Sequence, residues 1–514
     1  MTHVPGDQAR TKRPVLVAVD LGAESCRVSL LRWIDGQPDI LLVHRFANSA
    51  EDKGNGLRWN IAAICEGVEE GLRTCAPLAP EGIATIGVDG WAVDYVRLGA
   101  DGKPVANPFC YRDERTLAGQ KQVHSRISPE RLYELTGVQI IPLNTLYQLR
   151  ADSPAEQHLP WINVPEFLLH RLGGKRVSEY TNGTHTQLLS VQDHAWSPEI
   201  FAAAGLDLSA APPLVQPGTD LGAVQGDIAS LPAFRHTRLI APACHDTASA
   251  IAGIPAQGDD WAFISSGTWS LVGCVLDSAC VSQAARSANF SNEGGVGGKI
   301  YFLKNVNGMW LLRQCMERWR LQGQAWKVEH LIEACAQADP PECLIDVDHP
   351  DLLLPGDMPA RINAQLNRMG RASIPEGPAM AARMANLILH SLAARYATVL
   401  QDATRITGKT FKQLYIVGGG SRNAVLNRLT AEATGLEVTT GSTESATVGN
   451  FAIQLAALEG NYTDGSGVTA KAVSEWARAL SRQPGDTPGI GATRNIIPGH
   501  AAEKIQRPTG KALV

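Results

Sequence analysis

None of the ten cysteines stands in a CxxC pair, which argues against a zinc ribbon or a thioredoxin-type redox site. Thiols this sparse in so long a chain are expected to be buried and idle, the close pairs Cys65/Cys75 and Cys335/Cys343 included. No uninterrupted apolar run approaches the ~20 residues of a membrane helix. Residues 1–13 are polar and lack the hydrophobic core of a secretion signal, so the expectation is a cytoplasmic protein without a membrane. A basic excess is also missing: 46 Lys and Arg face 51 Asp and Glu, a net charge of −5. That balance supplies no field for nucleic acid. Neither GxxxxGK[ST] nor an early GxGxxG occurs, which excludes a P-loop protein and a nicotinamide oxidoreductase.

What is present is a large globular chain. Its 514 residues exceed one domain, and the 44% apolar and 19% charged composition is that of a packed protein. Apolar runs at 15–19 and 28–33 predict two strands joined by a turn at 21–25. Residues 261–265 and 269–275, joined through Ser266-Gly267-Thr268, repeat that plan, which implies a duplication and two related lobes. Strands are further predicted at 83–88, 92–98, 414–417 and 436–440. Helices are predicted at 60–73, 248–252, 379–406, 423–434 and 446–458. From 482 onward, Gly, Pro, Thr and Lys without periodicity predict a loose tail.

Four segments carry candidate chemistry. In Asp20-Leu21-Gly22-Ala23-Glu24-Ser25-Cys26-Arg27, Gly22 lets the backbone approach a ligand, and turn amides can face phosphate oxygens. Arg27 adds a charge-assisted bond, and Asp20 suits a magnesium ion held through water. Ser265 to Ser270 repeats the logic with hydroxyls. Gly418-Gly419-Gly420 bares the backbone to a flat purine or sugar. In His245-Asp246-Thr247 the carboxylate is placed to take a proton from a hydroxyl. Each has a plain structural alternative: a hairpin turn, a helix entry, or a helix cap at Asp246. Trp91 to Asp94 and Tyr111 to Thr116 offer rings, carboxylates and guanidinium groups suited to a polyol, or else a half-exposed strand and a solvated charge run.

In this order the motifs resemble the FGGY carbohydrate kinases of the actin/hexokinase-like superfamily, over residues 14–460. Within the family the branch acting on L-rhamnulose is the most similar, on residues 111–116, 142–149, 179–182, 245–250, 265–270, 292–295 and 303–305. The resemblance implies an α/β fold of two RNase-H-like domains with a catalytic cleft between them. Residues 14–253 would bind sugar and carry the first phosphate motif, 254–481 would bind ATP, and 482–514 would form the tail. It implies ATP and Mg2+ as cofactors and phosphorylation of a ketose at its 1-hydroxyl. Asp246 would be the general base, with Ala92, His245, Thr247 and Asn305 at the sugar. Ala23, Glu24, Ser25, Cys26, Arg27, Thr268, Arg313 and Gly419 would meet the nucleotide, and Asp20 the metal. Three residues depart from the branch: Ala92 and Cys26 stand where it has Gly, and Arg313 where it has Gln. An added methyl in a pocket shifts discrimination by ~1–3 kcal/mol, so L-fuculose or a pentulose is the alternative substrate. A non-catalytic sugar sensor on the same fold is the alternative activity. The oligomeric state is not readable from the sequence.

Overall fold

The structure is a computed structural model and describes residues 13–377, 379–460, 467–481 and 496–497. The tail expected at 482–514 lies outside the described residues, apart from the backbone of 496–497.

The first lobe contains β1 (Leu16–Leu21), β2 (Ser25–Ile34), β3 (Gln37–Ala47), α1 (Ile61–Cys75), β4 (Thr85–Gly90), β5 (Asp220–Ala223), β6 (Arg238–Ile240) and α2 (Asp246–Ala252). The second contains β7 (Trp261–Ser266), β8 (Trp269–Leu276), β9 (Ser291–Gly294), β10 (Ile300–Asn307), α3 (Met380–Thr407), β11 (Gln413–Val417), α4 (Ala424–Thr434), β12 (Glu437–Thr440), α5 (Ser445–Gly460), α6 (Ala470–Leu480) and β13 (Ile496–Ile497). The first sheet runs β5-β6-β4-β1-β2-β3 and the second β9-β10-β8-β7-β11-β12-β13. The duplication extends to strand direction. In each lobe an antiparallel meander (β1-β2-β3; β7-β8-β10) continues through two parallel strands (β4, β6; β11, β12) and an antiparallel edge strand.

Alternation along the central strands builds the layers. Val17, Val19 and Leu21 face a core completed by α1, whereas Leu16 and Ala18 face the other lobe. In the second sheet Ala262, Ile264, Leu414 and Ile416 pack on the outer side with α3, and Phe263, Tyr415 and Val417 look inward. The inner faces share one core with α2, α5 and α6, so the order is helices, sheet, helices, sheet, helices. α1 starts where the Asn60 side chain accepts from the Ala63 N–H. α3, 28 residues long, ends at Gly408 in the left-handed conformation.

α2 and α5 cross at glycines. A Cβ on Gly449 would lie 1.8 Å from the Ser249 carbonyl oxygen, and one on Gly253 would lie 2.4 Å from that of Ser445. α5 also reaches the first sheet: Gln454 Nε2 donates to the Val17 carbonyl at 3.0 Å and Asn450 Nδ2 to Asp89 Oδ2 at 2.5 Å.

One local expectation needs correction. The strand expected over 92–98 is only Tyr95–Arg97. Asp94 accepts indole N–H groups from Trp59 (2.5 Å) and Trp91 (3.0 Å) and an amide from Gln148 (3.0 Å). This pulls 91–94 into a turn with Val93 at φ 69°. After Gly418 a single 3₁₀ turn, Gly419–Arg422, precedes α4, because the Asn423 side chain caps α4 at the Leu426 N–H. All ten cysteines are free thiols.

Candidate active site

The two hairpin turns face each other across a cleft of about 670 Å³. The β1–β2 turn presents Gly22 to Ser25 and the β7–β8 turn presents Gly267 and Thr268. The first turn is tight because a Cβ on Gly22 would come within 2.5 Å of the Ser25 carbonyl oxygen. The tips touch: Thr268 Oγ1 donates to Glu24 Oε1 at 2.8 Å, and Arg313 forms an ion pair with Glu24.

Asp20, the residue before the last of β1, lies on the inward face, paired in register with Asp89 of β4. It is 6% exposed. Arg27 Nη1 bonds its Oδ2 at 3.1 Å, while Arg27 Nε reaches Glu444 Oε2 at 3.1 Å. Burial pushes the Asp20 carboxyl up to about 6, with Asp246 and Glu444 adding to the rise and Arg27 opposing it. A cluster of carboxylates with one guanidinium is short of positive charge. An oxygen-only donor of this kind fits Mg2+ held through water. The nucleotide fits as well. Nothing lies within 4 Å of a Cβ built on Gly419, so bare backbone faces the cleft, while a Cβ on Gly420 would strike the Ser266 side chain at 2.0 Å.

Asp246 opens α2 at the cleft floor, and His245 occupies the cap position without a capping bond. The cap position expected for Asp246 thus falls to His245, and Asp246 is the first helical residue, its carboxylate accepting from the Thr247 backbone N–H. The Asp246 side chain is 34% exposed, toward the cleft. Burial raises its pKa, partly offset by the Thr247 backbone N–H and side chain and by the charges of His185 and Arg27. His245 is 4% exposed, with Nε2 3.5 Å from Asp246 Oδ1. Burial drives its pKa well down. Ala92, Thr247 and Asn305 complete this end.

The cleft thus brings together Asp20, Ala23, Glu24, Ser25, Arg27, Ala92, His245, Asp246, Thr247, Thr268, Asn305, Arg313 and Gly419. Cys26 is the exception. Strand alternation turns its side chain into the core of the first lobe, where it is fully buried. The 111–116 segment also departs from expectation, since only Tyr111 reaches the cleft. Asp113 is spent on the Leu57 and Arg115 backbone N–H groups, Arg115 on Asp152, and the Arg112 guanidinium stacks 3.7 Å over Trp310. Residue types suited to a polyol serve the scaffold here. Sequence reasoning missed His185, whose ring lines the cleft, and Glu293 behind it. They meet only because β9 packs against the helix Tyr180–His185, which no spacing along the chain signals.

Two facing phosphate-type turns, a bare glycine shelf and a carboxylate between lobes of duplicated fold define a phosphotransferase of the sugar-kinase class. The family model for the N-terminal domain of the FGGY family of carbohydrate kinases matches residues 15–253, and that for the C-terminal domain matches 262–458. The chain belongs to this family; it is a carbohydrate kinase that uses ATP with Mg2+. Among curated relatives, the rhamnulokinase of Bacteroides thetaiotaomicron is 36% identical over 456 residues, covering 88% of this chain and 92% of that one. The rhamnulokinase of Enterococcus faecalis is 37% identical over 459 residues, covering 87% and 90%. Solved structures share the fold at low identity. The xylulose kinase of Lactobacillus acidophilus gives a TM-score of 0.68 at 15% identity, over 91% of this chain and 96% of that one. The glycerol kinase of Plasmodium falciparum with ADP gives 0.69 at 14%, over 90% and 92%. No helix among the described residues is long and apolar enough to cross a membrane.

Proposed function

We propose that the enzyme phosphorylates L-rhamnulose, or a close relative, at the 1-hydroxyl, with Asp246 as general base. The observation that carries this is the Asp246 carboxylate, which opens into the cleft shared by both hairpin turns and the glycine shelf. The rhamnulokinase relatives at 36–37% identity supply the sugar class.

Phosphoryl transfer needs alignment and charge neutralisation more than covalent help. When bound, ATP with Mg2+ supplies the phosphoryl group and balances its developing charge. Asp20 would hold the metal through water. The amides of Ala23 to Arg27, with Thr268, Arg313 and the Arg27 guanidinium, would hold the phosphates, and Gly419 the adenosine. His245, Thr247, Asn305 and the Ala92 backbone would orient the ketose. Asp246 takes the hydroxyl proton late, as the O–P bond forms, because a free alkoxide is too basic to form first. Such a base contributes ~10²–10⁴-fold. Closure of the lobes over both ligands keeps water from competing as acceptor. We assign residues 14–253 to sugar binding and the first phosphate motif and 254–481 to ATP binding, with Asn305 reaching the sugar from the second lobe, and the cytoplasm as the compartment that supplies ATP.

The test is ADP release with L-rhamnulose, L-fuculose, L-ribulose, D-ribulose and L-xylulose. L-Rhamnulose is expected to give the highest kcat/KM, with the phosphate on O1 by NMR. A preferred pentulose would overturn the sugar assignment. Asp246→Asn is expected to abolish turnover while ATP still binds; retained activity would remove Asp246 from the chemistry.

A further inference from the structure

Behind the sugar end of the cleft, three donor side chains converge from separate elements: His185 at the end of Tyr180–His185, His245 before α2, and Glu293 on β9. Their ligand atoms all lie within 4.8 Å of one another. His185 Nε2 is 3.2 Å from Glu293 Oε1 and His245 Nδ1 is 3.7 Å from Glu293 Oε2. The side chains are 7%, 5% and 1% exposed.

These distances describe a network satisfied only in part, by the Asn305 and Ser291 side chains on the Glu293 carboxylate. Glu293 Oε1 and His245 Nδ1 are buried without a hydrogen-bond partner, and such orphans are rare in folded proteins. His245 also has a carboxylate at each nitrogen, Asp246 at 3.5 Å and Glu293 at 3.7 Å. A neutral imidazole carries one N–H. With that hydrogen on Nε2, toward Asp246, the Nδ1 lone pair confronts the Glu293 carboxylate. A cation between the three groups removes the conflict, since each lone pair then points at positive charge.

The donor set selects the kind of cation. Two imidazole nitrogens and one carboxylate suit Zn2+ or a similar transition ion rather than Mg2+, which takes oxygen. Metal–ligand bonds of ~2.0–2.2 Å place tetrahedral neighbours ~3.3–3.5 Å apart; the contacts to the two Glu293 oxygens, 3.2 and 3.7 Å, lie near that spacing, and the full set, spread over up to 4.8 Å, would draw together around the ion. Asp246 on the far nitrogen of His245 is the carboxylate that commonly orients a metal-bound histidine. A three-ligand site leaves a fourth position open, and His185 and His245 both line the cleft.

We propose that His185, His245 and Glu293 form a transition-metal site, distinct from the magnesium position at Asp20, whose open fourth position takes an oxygen of the bound ketose. The last element rests on the sugar assignment above, with His245 then orienting the ketose through the ion; the metal site itself does not.

The experiment is titration of the metal-free full-length protein with Co2+, followed by its visible absorption. A tetrahedral spectrum at one ion per chain is expected, displaced by Zn2+. His185→Gln and Glu293→Gln are each expected to weaken the ion by roughly 100-fold or more, since even outer partners of a metal ligand cost 10–100-fold. No stoichiometric Co2+ or Zn2+ binding, or binding that both variants retain, would overturn the site. Anomalous diffraction from wild-type crystals soaked in Zn2+ decides the matter if the variants do not fold. A peak at the three side chains is expected, and a soak without one refutes the proposal. Adding L-rhamnulose is expected to shift the Co2+ spectrum. An unshifted spectrum, with turnover of the same ketose in Mg2+ and ATP intact, would remove the sugar ligand and leave the kinase reading standing.

Discussion

Gly449→Ala probes how the lobes control the base. The added Cβ would sit 1.8 Å from the Ser249 carbonyl oxygen and 2.9 Å from the Gly253 nitrogen, both backbone atoms that no rotamer change moves aside. The α2–α5 crossing must therefore open by more than about 1 Å to restore van der Waals contact. Asp246 lies on α2 one turn before Ser249 and moves with it. Overpacking of this kind costs ~1–3 kcal/mol, a few degrees of Tm by scanning fluorimetry. The kinetic effect is larger, because a misplacement of ~1 Å at a reacting group costs ~100-fold. A coupled ADP-release assay is expected to show kcat down by about that factor, with the KM for ATP changed less because the glycine shelf belongs to neither crossing helix. A variant with wild-type kcat and Tm would show that the crossing tolerates spreading and does not set the position of Asp246.

Asp246 must be ionised to accept a proton, and burial raises its pKa. The kcat/KM for the ketose, which reports the free enzyme, should be lost as pH falls through a value above the ordinary carboxylate range near 4; an acid limb of kcat/KM at or below 4 contradicts the assignment. Asp94→Asn leaves at least one of the Trp59, Trp91 and Gln148 donors facing an amide N–H instead of an acceptor. A loss of ~1–3 kcal/mol in denaturant unfolding is expected, together with a raised ketose KM because the 91–94 turn lines the sugar end. Unchanged stability would mean the turn is held by other contacts. Glu24→Ala removes a carboxylate from the phosphate end and releases Arg313. The KM for ATP should fall about two- to fivefold, as for an exposed ion pair worth under ~1 kcal/mol. A rise would show that Glu24 helps to hold the metal–nucleotide complex.

Much of this molecule was legible along the chain wherever a signal was local. The strand–turn–strand units at 15–33 and 261–275, the helix stop at Gly408 and the glycines at 418–420 all depend on neighbours in sequence, and the structure keeps them. The duplicated sheet order was visible only as two similar turns, because its parallel strands come from distant segments. The 92–98 strand failed because Asp94 gathers donors from Trp59 and Gln148, contacts that periodicity does not encode. The charged run at 112–115 looked like a sugar site because guanidinium and carboxylate groups serve sugars and scaffolds equally well. Cys26 followed the phosphate turn into the list of contacts, although strand alternation turns its side chain away. His185 and Glu293 had no spacing to announce them.

The late helix α5 has a bearing on synthesis. It supplies Asn450 to buried Asp89 and Gln454 to Val17 and Thr85, closing a face of the first sheet. A chain emerging from the ribosome in order therefore carries its opening half with an acid and an apolar surface uncovered until residue 460 has been made. A fragment stopped at the lobe boundary would inherit the same bare flank permanently.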